Sequence, residues 1–449
     1  MNKNVQAIPT NGTQTLTTTN NLPIEKFGSN YSAKLRIYRN AIKSRINTNS
    51  SIAVKKMYAM LIMALFFISM ALISGQEVYA AAQLENNSVK WHPGHYYAIL
   101  NWGKNDPTYL AQVYREIQET PSLRGLQIRY SWAELEQEWG VYDFSSIDQR
   151  LTELAALGKR LIILLDTKTY KVSTSPVPDY VKKKQFEWGA FAFTRYNSNT
   201  PIGHSISLWN PHVHDRLVAL ISRLGERYNS HPYFEGIGLT ETSMGHSINV
   251  LSSVQVDEYY KNLLSLNQHM RQHFPNTMTF QITNYPRQIL EQFTNTLTEM
   301  GAALAAPDVF IEDPGLNMKE KPYTPDGVYA YFQKLSGIVP LAPAVMFKNY
   351  TNTRQDETGY DPTVWELLHF ARNNLNANYI FWTRAPEHYE EVLQVLSWRE
   401  QTSDPAGGLN SACPASYSSC IDIVESQHGG SYNGWNAKIR NIFPLHRHR

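Results

Sequence analysis

Five consecutive large aliphatic residues, Leu161-Ile162-Ile163-Leu164-Leu165, lie between Arg160 and Asp166. As a strand, this run is apolar on both faces, and a parallel sheet covered on both sides is the usual way to bury such a strand. The run belongs to a rhythm. From about residue 91, short apolar stretches alternate with longer amphipathic ones. Strands are expected over 96–102, 126–130, 160–166, 235–241, 279–284, 308–312, 341–347 and 379–382. Helices are expected over 106–119, 144–157, 211–228, 254–274, 289–300, 327–335, 362–375 and 387–398. Asp106 before Pro107 reads as a cap and first helical residue, Ser145 or Ser146 as a cap, Asp361 as a helix opener, and Gly158 as a terminator. Eight strand–helix units over about 310 residues fit an α/β chain folded as a (β/α)8 TIM barrel, whose usual size is about 250 residues plus insertions. The alternative is a doubly wound open sheet, but no Gly-x-Gly-x-x-Gly follows the first strand.

The flanks have a different character. Residues 1–53 are rich in Asn and Thr and lack apolar periodicity, so a disordered extension is expected. Lys55-Lys56, an apolar run over 57–73 and Val78-Tyr79-Ala80 follow in the order of a secretory signal peptide, placed at 54–80 with cleavage after Ala80. An uncleaved membrane anchor is the alternative. A polar stretch ahead of such a segment suggests a translation start near Val54. The expected location is outside the cell or in the periplasm, with membrane contact only through an uncleaved segment. The chain has two cysteines, Cys413 and Cys420; in an exported chain they can pair, and two free thiols are the alternative. They fall in a Ser-, Gly- and Asn-rich tail, 401–449, expected to be a small appendage or partly disordered.

A barrel gathers the carboxyl ends of its strands at one mouth, where chemistry is done. The stretch Phe234-Glu235-Gly236-Ile237-Gly238-Leu239-Thr240-Glu241 reads as a tightly packed fourth strand ending on a carboxylate. The other expected strand ends offer Asn101 and Trp102, Arg129 and Tyr130, Asp166 and Lys168, Asn284 and Tyr285, Glu312 and Asp313, Lys348 and Asn349, and Trp382 and Arg384. No Gly-x-Ser-x-Gly elbow and no His-Glu-x-x-His occurs. His92 and His95 lack evident further ligands, so neither a metal nor an organic cofactor is expected. The net charge of +2 gives no argument for nucleic acid. Two carboxylates across a cleft are what glycosidic hydrolysis needs. The 12% aromatic content, including 10 Trp and 27 Tyr, suits stacking on sugar faces and equally suits a large aromatic core. The insertion over 167–210, with Trp188, Phe191, Phe193, Tyr196 and Trp209, could wall such a cleft or be an aromatic-stapled loop.

The segment Trp132-Ala133-Glu134-Leu135-Glu136, followed by Gly140 and Tyr142-Asp143-Phe144-Ser145, resembles the loop after the second strand in clan A glycoside hydrolases of the cellulase-like and β-galactosidase-like kinds. The likeness runs over about residues 91–400, and this loop is its most specific part. Phe381-Trp382 is similar to the eighth-strand tryptophan that floors the sugar site there, and Glu241 falls where the clan keeps its general acid/base. The resemblance implies a secreted glycosidase acting on a poly- or oligosaccharide. Two departures stand out. Thr240 replaces the usual Asn before the glutamate, and the seventh strand ends in Lys348-Asn349 where the clan has its nucleophilic glutamate. Glu241 is therefore expected as the general acid/base and Glu312 as the second carboxylate, the nucleophile or base, with Asp313 and Asp166 next in order and a helix-capping role as the structural alternative for Glu312-Asp313. Trp102, Arg129, Asp166, Asn284, Tyr285 and Trp382 are the candidate substrate-binding residues. Glu134 and Glu136 read as braces of the second loop, through Arg129 or Arg160. A carbohydrate-binding barrel that has lost hydrolysis is the second functional reading.

Overall fold

Eight parallel strands pair in sequence and the last closes on the first, forming a complete barrel in a computed structural model that describes residues 88–195, 198–317 and 325–422. The strands are β1 (Gly94–Leu100), β2 (Leu123–Ser131), β3 (Arg160–Asp166), β4 (Phe234–Leu239), β5 (Met278–Ile282), β6 (Ala303–Ala306), β7 (Leu341–Val345) and β8 (Tyr379–Thr383). The helices between them are α1 (Pro107–Glu119), α2 (Ser145–Ala156), α3 (Pro211–Tyr228), α4 (Ser253–His273), α5 (Arg287–Glu299), α6 (Val328–Leu335) and α7 (Val364–Asn373), with α8 (Tyr389–Leu396) after β8. The Asp106 carboxylate accepts the Thr108 and Tyr109 amides and so caps α1 as expected. Helix α2 follows Phe144 without a side-chain cap, and α7 is opened by Thr363 in a capping box with Glu366 rather than by Asp361. No described helix is long and apolar enough to cross a membrane. The expected extension 1–53, the expected export segment 54–80 and the tail over 423–449 lie outside the described residues.

Alternation along each strand builds two cores. Tyr96, Ala98, Ile162, Leu164, Met278, Phe280, Ile282, Ala303, Ala305, Ala342, Ala344, Tyr379 and Phe381 form one buried cluster inside the barrel. Their neighbours along the strands, among them Tyr97, Leu126, Ile163, Ile237, Leu304 and Trp382, join the helix-side core. The interior is filled unevenly. Phe280 and Phe381 lie with ring centroids 5.5 Å apart, and small residues of β4, β6 and β7 make room. A Cβ on Gly238 would meet the Phe280 ring at 2.3 Å.

This packing explains a displaced strand. The expected sixth strand, 308–312, is a loop, and the strand is the alanine-rich run Ala303–Ala306 just before it. Alanine has little intrinsic β preference, so the run is inconspicuous, but its small side chains are what the crowded interior accepts.

The amino-terminal end of the barrel is closed by chain segments from both sides of it. Strand Ser88–Lys90 pairs in parallel with Ser419–Ile421, and Cys413 and Cys420 form a disulfide with their Cα atoms 5.8 Å apart. The Trp91 indole donates to the Ser411 carbonyl at 2.9 Å. The described part of the tail therefore packs under the barrel. Within that base, the fully buried Glu235 carboxylate accepts the His92 amide (2.8 Å) and the Tyr379 hydroxyl (2.8 Å), pairs with the His92 ring (2.7 Å) and lies 3.6 Å from the Arg160 guanidinium.

Candidate active site at the carboxyl ends of the strands

At the opposite end, β2 and β3 deliver Arg129 and Asp166. In β2 the residues Leu126, Ile128 and Tyr130 face the helices, so Arg129 faces inward. Its guanidinium stands 3.9 Å from the Asp166 carboxylate, too far for a good hydrogen bond. Arg129 Nε and Asp166 Oδ1 are buried and make no hydrogen bond. Burial pushes the Asp166 carboxyl up to about 6, against the pull of Arg129 and Lys104.

Beyond β3 the insertion forms a small antiparallel sheet. Its strands are Lys168–Thr169, Ala190–Thr194 and Pro201–Ile206, joined by His246–Ser247 from the loop after β4. Two residues of this lid reach Glu241, which follows β4 by two positions. The Tyr170 hydroxyl donates toward both carboxylate oxygens, at 2.9 and 2.8 Å. The Lys168 ammonium lies 3.5 Å from Oε2 and donates to the Ser243 carbonyl. Burial alone would raise the Glu241 carboxyl. The Lys168 charge, the Tyr170 hydrogen bond and the Arg129 charge outweigh it and hold the group below its ordinary value of 4.5. The Glu241 side chain keeps 22% of its surface exposed, enough for a ligand to touch it.

Within reach of its charge is an acid that the reading of the sequence passed over. Asp308 lies two residues beyond β6. Its carboxylate accepts from the Asn349 amide at 3.3 Å. Asn349 follows β7 and also accepts the Val309 and Met346 amides, tying the loops after β6 and β7 together. Burial and then the negative charge of Glu241 push the Asp308 carboxyl up to about 7. The sequence did offer a clue: a lone Asp follows an apolar run and Pro307. Placing the strand five residues too late hid it.

The other expected residues distribute unevenly. Glu312 is exposed, and its carboxylate accepts from the Thr353 hydroxyl at 2.6 Å. The strand shift carries it out along the loop, six residues past β6. Its neighbour Asp313 caps the short helix Pro314–Asn317, accepting the Gly315 and Leu316 amides at 2.7 and 3.2 Å. The Asn284 carboxamide oxygen accepts the Ser243 and Tyr285 amides at 3.3 and 2.8 Å, so it braces the loop that carries Glu241. Tyr285, half-buried, packs toward Gly315. Trp102 is 50% exposed beside Phe347, with ring centroids 5.0 Å apart, and offers an aromatic face at the mouth.

Trp382 is a correction. It is fully buried on the helix side of β8, and its indole bonds His95 Nδ1 at 3.1 Å, so it floors no site. The inward-facing position belongs to Phe381. The second loop is braced, but by other partners than expected. Glu134 closes a capping box with Ser131 and pairs with Lys104; Glu136 accepts from Trp132 and Gly140 and pairs with Arg216. His92 and His95 turn to Glu235 and to the Gly407 carbonyl, and no group of three metal-binding side chains occurs among the described residues.

A comparison with protein-family models and with curated proteins gives no match. Solved structures similar in fold include the catalytic domain of β-amylase from Paenibacillus polymyxa, at 8% identity and a TM-score of 0.44, covering 69% of this chain and 99% of that one. A β-galactosidase from the psychrophilic Marinomonas ef1 matches at 11% identity and a TM-score of 0.46, covering 71% of this chain and 61% of that chain, less than two thirds of its length. Endo-glycoceramidase II from Rhodococcus sp. matches at 11% identity and a TM-score of 0.42, covering 66% and 75%. The neighbours are glycoside hydrolases; the barrel of this chain is established by its own strand pairing, a closed ring of eight parallel strands.

Proposed function

We propose that this chain is an exported glycoside hydrolase that cleaves an O-glycosidic bond of a poly- or oligosaccharide with Glu241 and Asp308. The observation that carries the reading is the pairing of two acids at one mouth in opposite environments. Glu241 is held as an anion by a cation and a hydroxyl, and burial and Glu241 itself push the Asp308 carboxyl up to about 7, so that it is mostly protonated below neutrality. Environments that push two carboxyl groups apart assign acid and base. The two residues follow strands β4 and β6, separated by β5, about two strand spacings of 5 Å each. Asp166, on the strand next to β4, lies on the same side as Glu241 and is better placed to bind a hydroxyl.

In this reading the acid role expected of Glu241 passes to Asp308, the group with the raised carboxyl, which gives its proton to the glycosidic oxygen as the bond from that oxygen to the anomeric carbon breaks. Glu241 supplies the electron pair. It either bonds to the anomeric carbon, with water displacing it later, or takes a proton from the water that attacks. The anomeric configuration of the first product, read by NMR, tells which. The carboxylate at Glu241 also stabilises the positive charge that develops on the sugar. Trp102 and Phe347 offer an apolar face to a sugar ring, and the exposed edges of Arg129 and Asp166, 16% and 10% of their side chains, offer a donor and an acceptor to its hydroxyls. Export is supported by the basic–apolar–small order over 54–80 and by the disulfide.

The test is release of sugar from a panel of polysaccharides, oligosaccharides and aryl glycosides. Wild type should turn over at least one class. Glu241→Gln should lose about 10²-fold or more while still binding it. A wild type that binds glycans and cleaves none would establish the second reading, a carbohydrate-binding barrel. What favours that reading is the end of β7, where Met346-Phe347-Lys348-Asn349 carries no acid.

A further inference from the structure

We infer that Tyr170 and Lys168 are positioning residues that hold and orient the Glu241 carboxylate, which makes the lid sheet part of the catalytic unit rather than a wall around it. The inference rests on the reading of Glu241 as the anionic partner. Its basis is geometric. Lys168 and Tyr170 lie just past the end of β3, on a stretch pinned into the lid by the register Lys168↔Ser205 and Thr169↔His204. The Lys168 side chain is only 4% exposed. Its ammonium lies 5.0 Å from the Phe193 ring centroid and 5.4 Å from that of Tyr170, so aromatic faces of the lid cradle it while the Ser243 carbonyl fixes one of its protons. Tyr170 stands edge-on to Phe193, ring centroids 5.6 Å apart, which aims its hydroxyl between the two oxygens of Glu241. No barrel strand supplies an equivalent direct donor to Glu241 among the described residues.

The consequence is a division of labour. Glu241 is faced by Lys168 and Tyr170 from the lid and by Arg129 from β2. Asp166 from β3, Asp308 from the loop after β6 and Tyr259 from α4 are also within reach of its charge. Three carboxyl groups sharing one mouth compete for protons, and like charges raise one another. The barrel brings the acids together, and the lid decides which one remains ionised. Without the lid donors, Glu241 and Asp308 would titrate as a coupled pair with no fixed roles.

The experiment is Tyr170→Phe, with Lys168→Met as a second variant, read in two ways. Tyr170 is 54% exposed, so removing its hydroxyl leaves packing intact. Carboxyl 13C NMR of glutamate-labelled protein, with Glu241→Gln to assign the signal, should show the Glu241 midpoint rising by about one pH unit in either variant. The acidic limb of kcat/KM should move up with it, with little change in KM. A Glu241 midpoint that stays put in both variants overturns the inference, whatever the activity. A midpoint that rises in a protein whose wild type cleaves no glycoside leaves the lid contact standing and overturns the glycosidase reading instead.

Discussion

Glu241 and Asp308 carry the same functional group and differ in what surrounds it. Glu241 meets an ammonium and a phenol; Asp308 meets one amide donor, a buried wall and the charge of Glu241. Turnover in this account needs Glu241 ionised and Asp308 protonated. The pH profile should therefore be flat from the Glu241 value, below 4.5, up to about 7, and fall about tenfold per unit above it. Asp308→Asn should remove the basic limb and lower kcat on unactivated glycosides by about 10²–10⁴-fold, measured by initial rates. At this scale the sequence was half legible. The position of Glu241 at the mouth could be read because a glycine-bearing apolar strand leads straight to it. Asp308 could not, because its charge environment is made by residues 67 and 41 positions away, Glu241 and Asn349, which only the closed barrel brings near.

Strand β4 shows how an element sets a site. Gly236 and Gly238 leave the interior to Met278 and Phe280 of β5, and the strand runs close against its neighbours before turning out at Glu241. Gly238→Ala should push a methyl group into the Phe280 ring and cost about 1–3 kcal/mol of stability by urea unfolding. An unchanged midpoint would mean that the ring has room to move. Existence and order of the elements were readable because each strand is a short apolar run and each helix an amphipathic one. The facing of side chains was not. A parallel strand covered on both sides is apolar at every position, so it carries no alternation to tell Phe381, inside the barrel, from Trp382, against the helices. The alanine run of β6 was missed for the related reason that its role is to be small.

At the scale of the whole molecule, the two ends of the barrel use buried charge for different purposes. At the mouth, Arg129 Nε and Asp166 Oδ1 make no hydrogen bond, while at the base one carboxylate is ringed by donors. Glu235 is fully buried, and burial alone would raise its carboxyl, but His92, Arg160 and Tyr379 hold it down to about 2. A carboxyl whose folded value lies below its unfolded value of 4.5 stabilises the fold above 4.5, and that contribution is lost as the pH falls toward 2. The size is about 3 kcal/mol. Glu235→Gln should therefore lower stability at pH 7 and flatten the acid unfolding curve between about 4.5 and 2, followed by circular dichroism. A variant as stable as wild type at pH 7 would show that the network is replaceable. The base also joins Ser88–Lys90 to Ser419–Ile421, segments more than 300 residues apart, a pairing that no local pattern in the sequence announces.

The proposed reaction has one closed ring of strands deliver a proton donor and an anion to a single glycosidic bond. Rates on aryl glycosides of graded leaving-group acidity test it most directly, because a good leaving group has no need of a proton. Asp308→Asn should recover toward wild-type rates on the most acidic phenols and fail on the least, while Glu241→Gln stays inactive across the series. Recovery of Glu241→Gln on acidic phenols, with Asp308→Asn dead throughout, would reverse the roles and make Glu241 the proton donor.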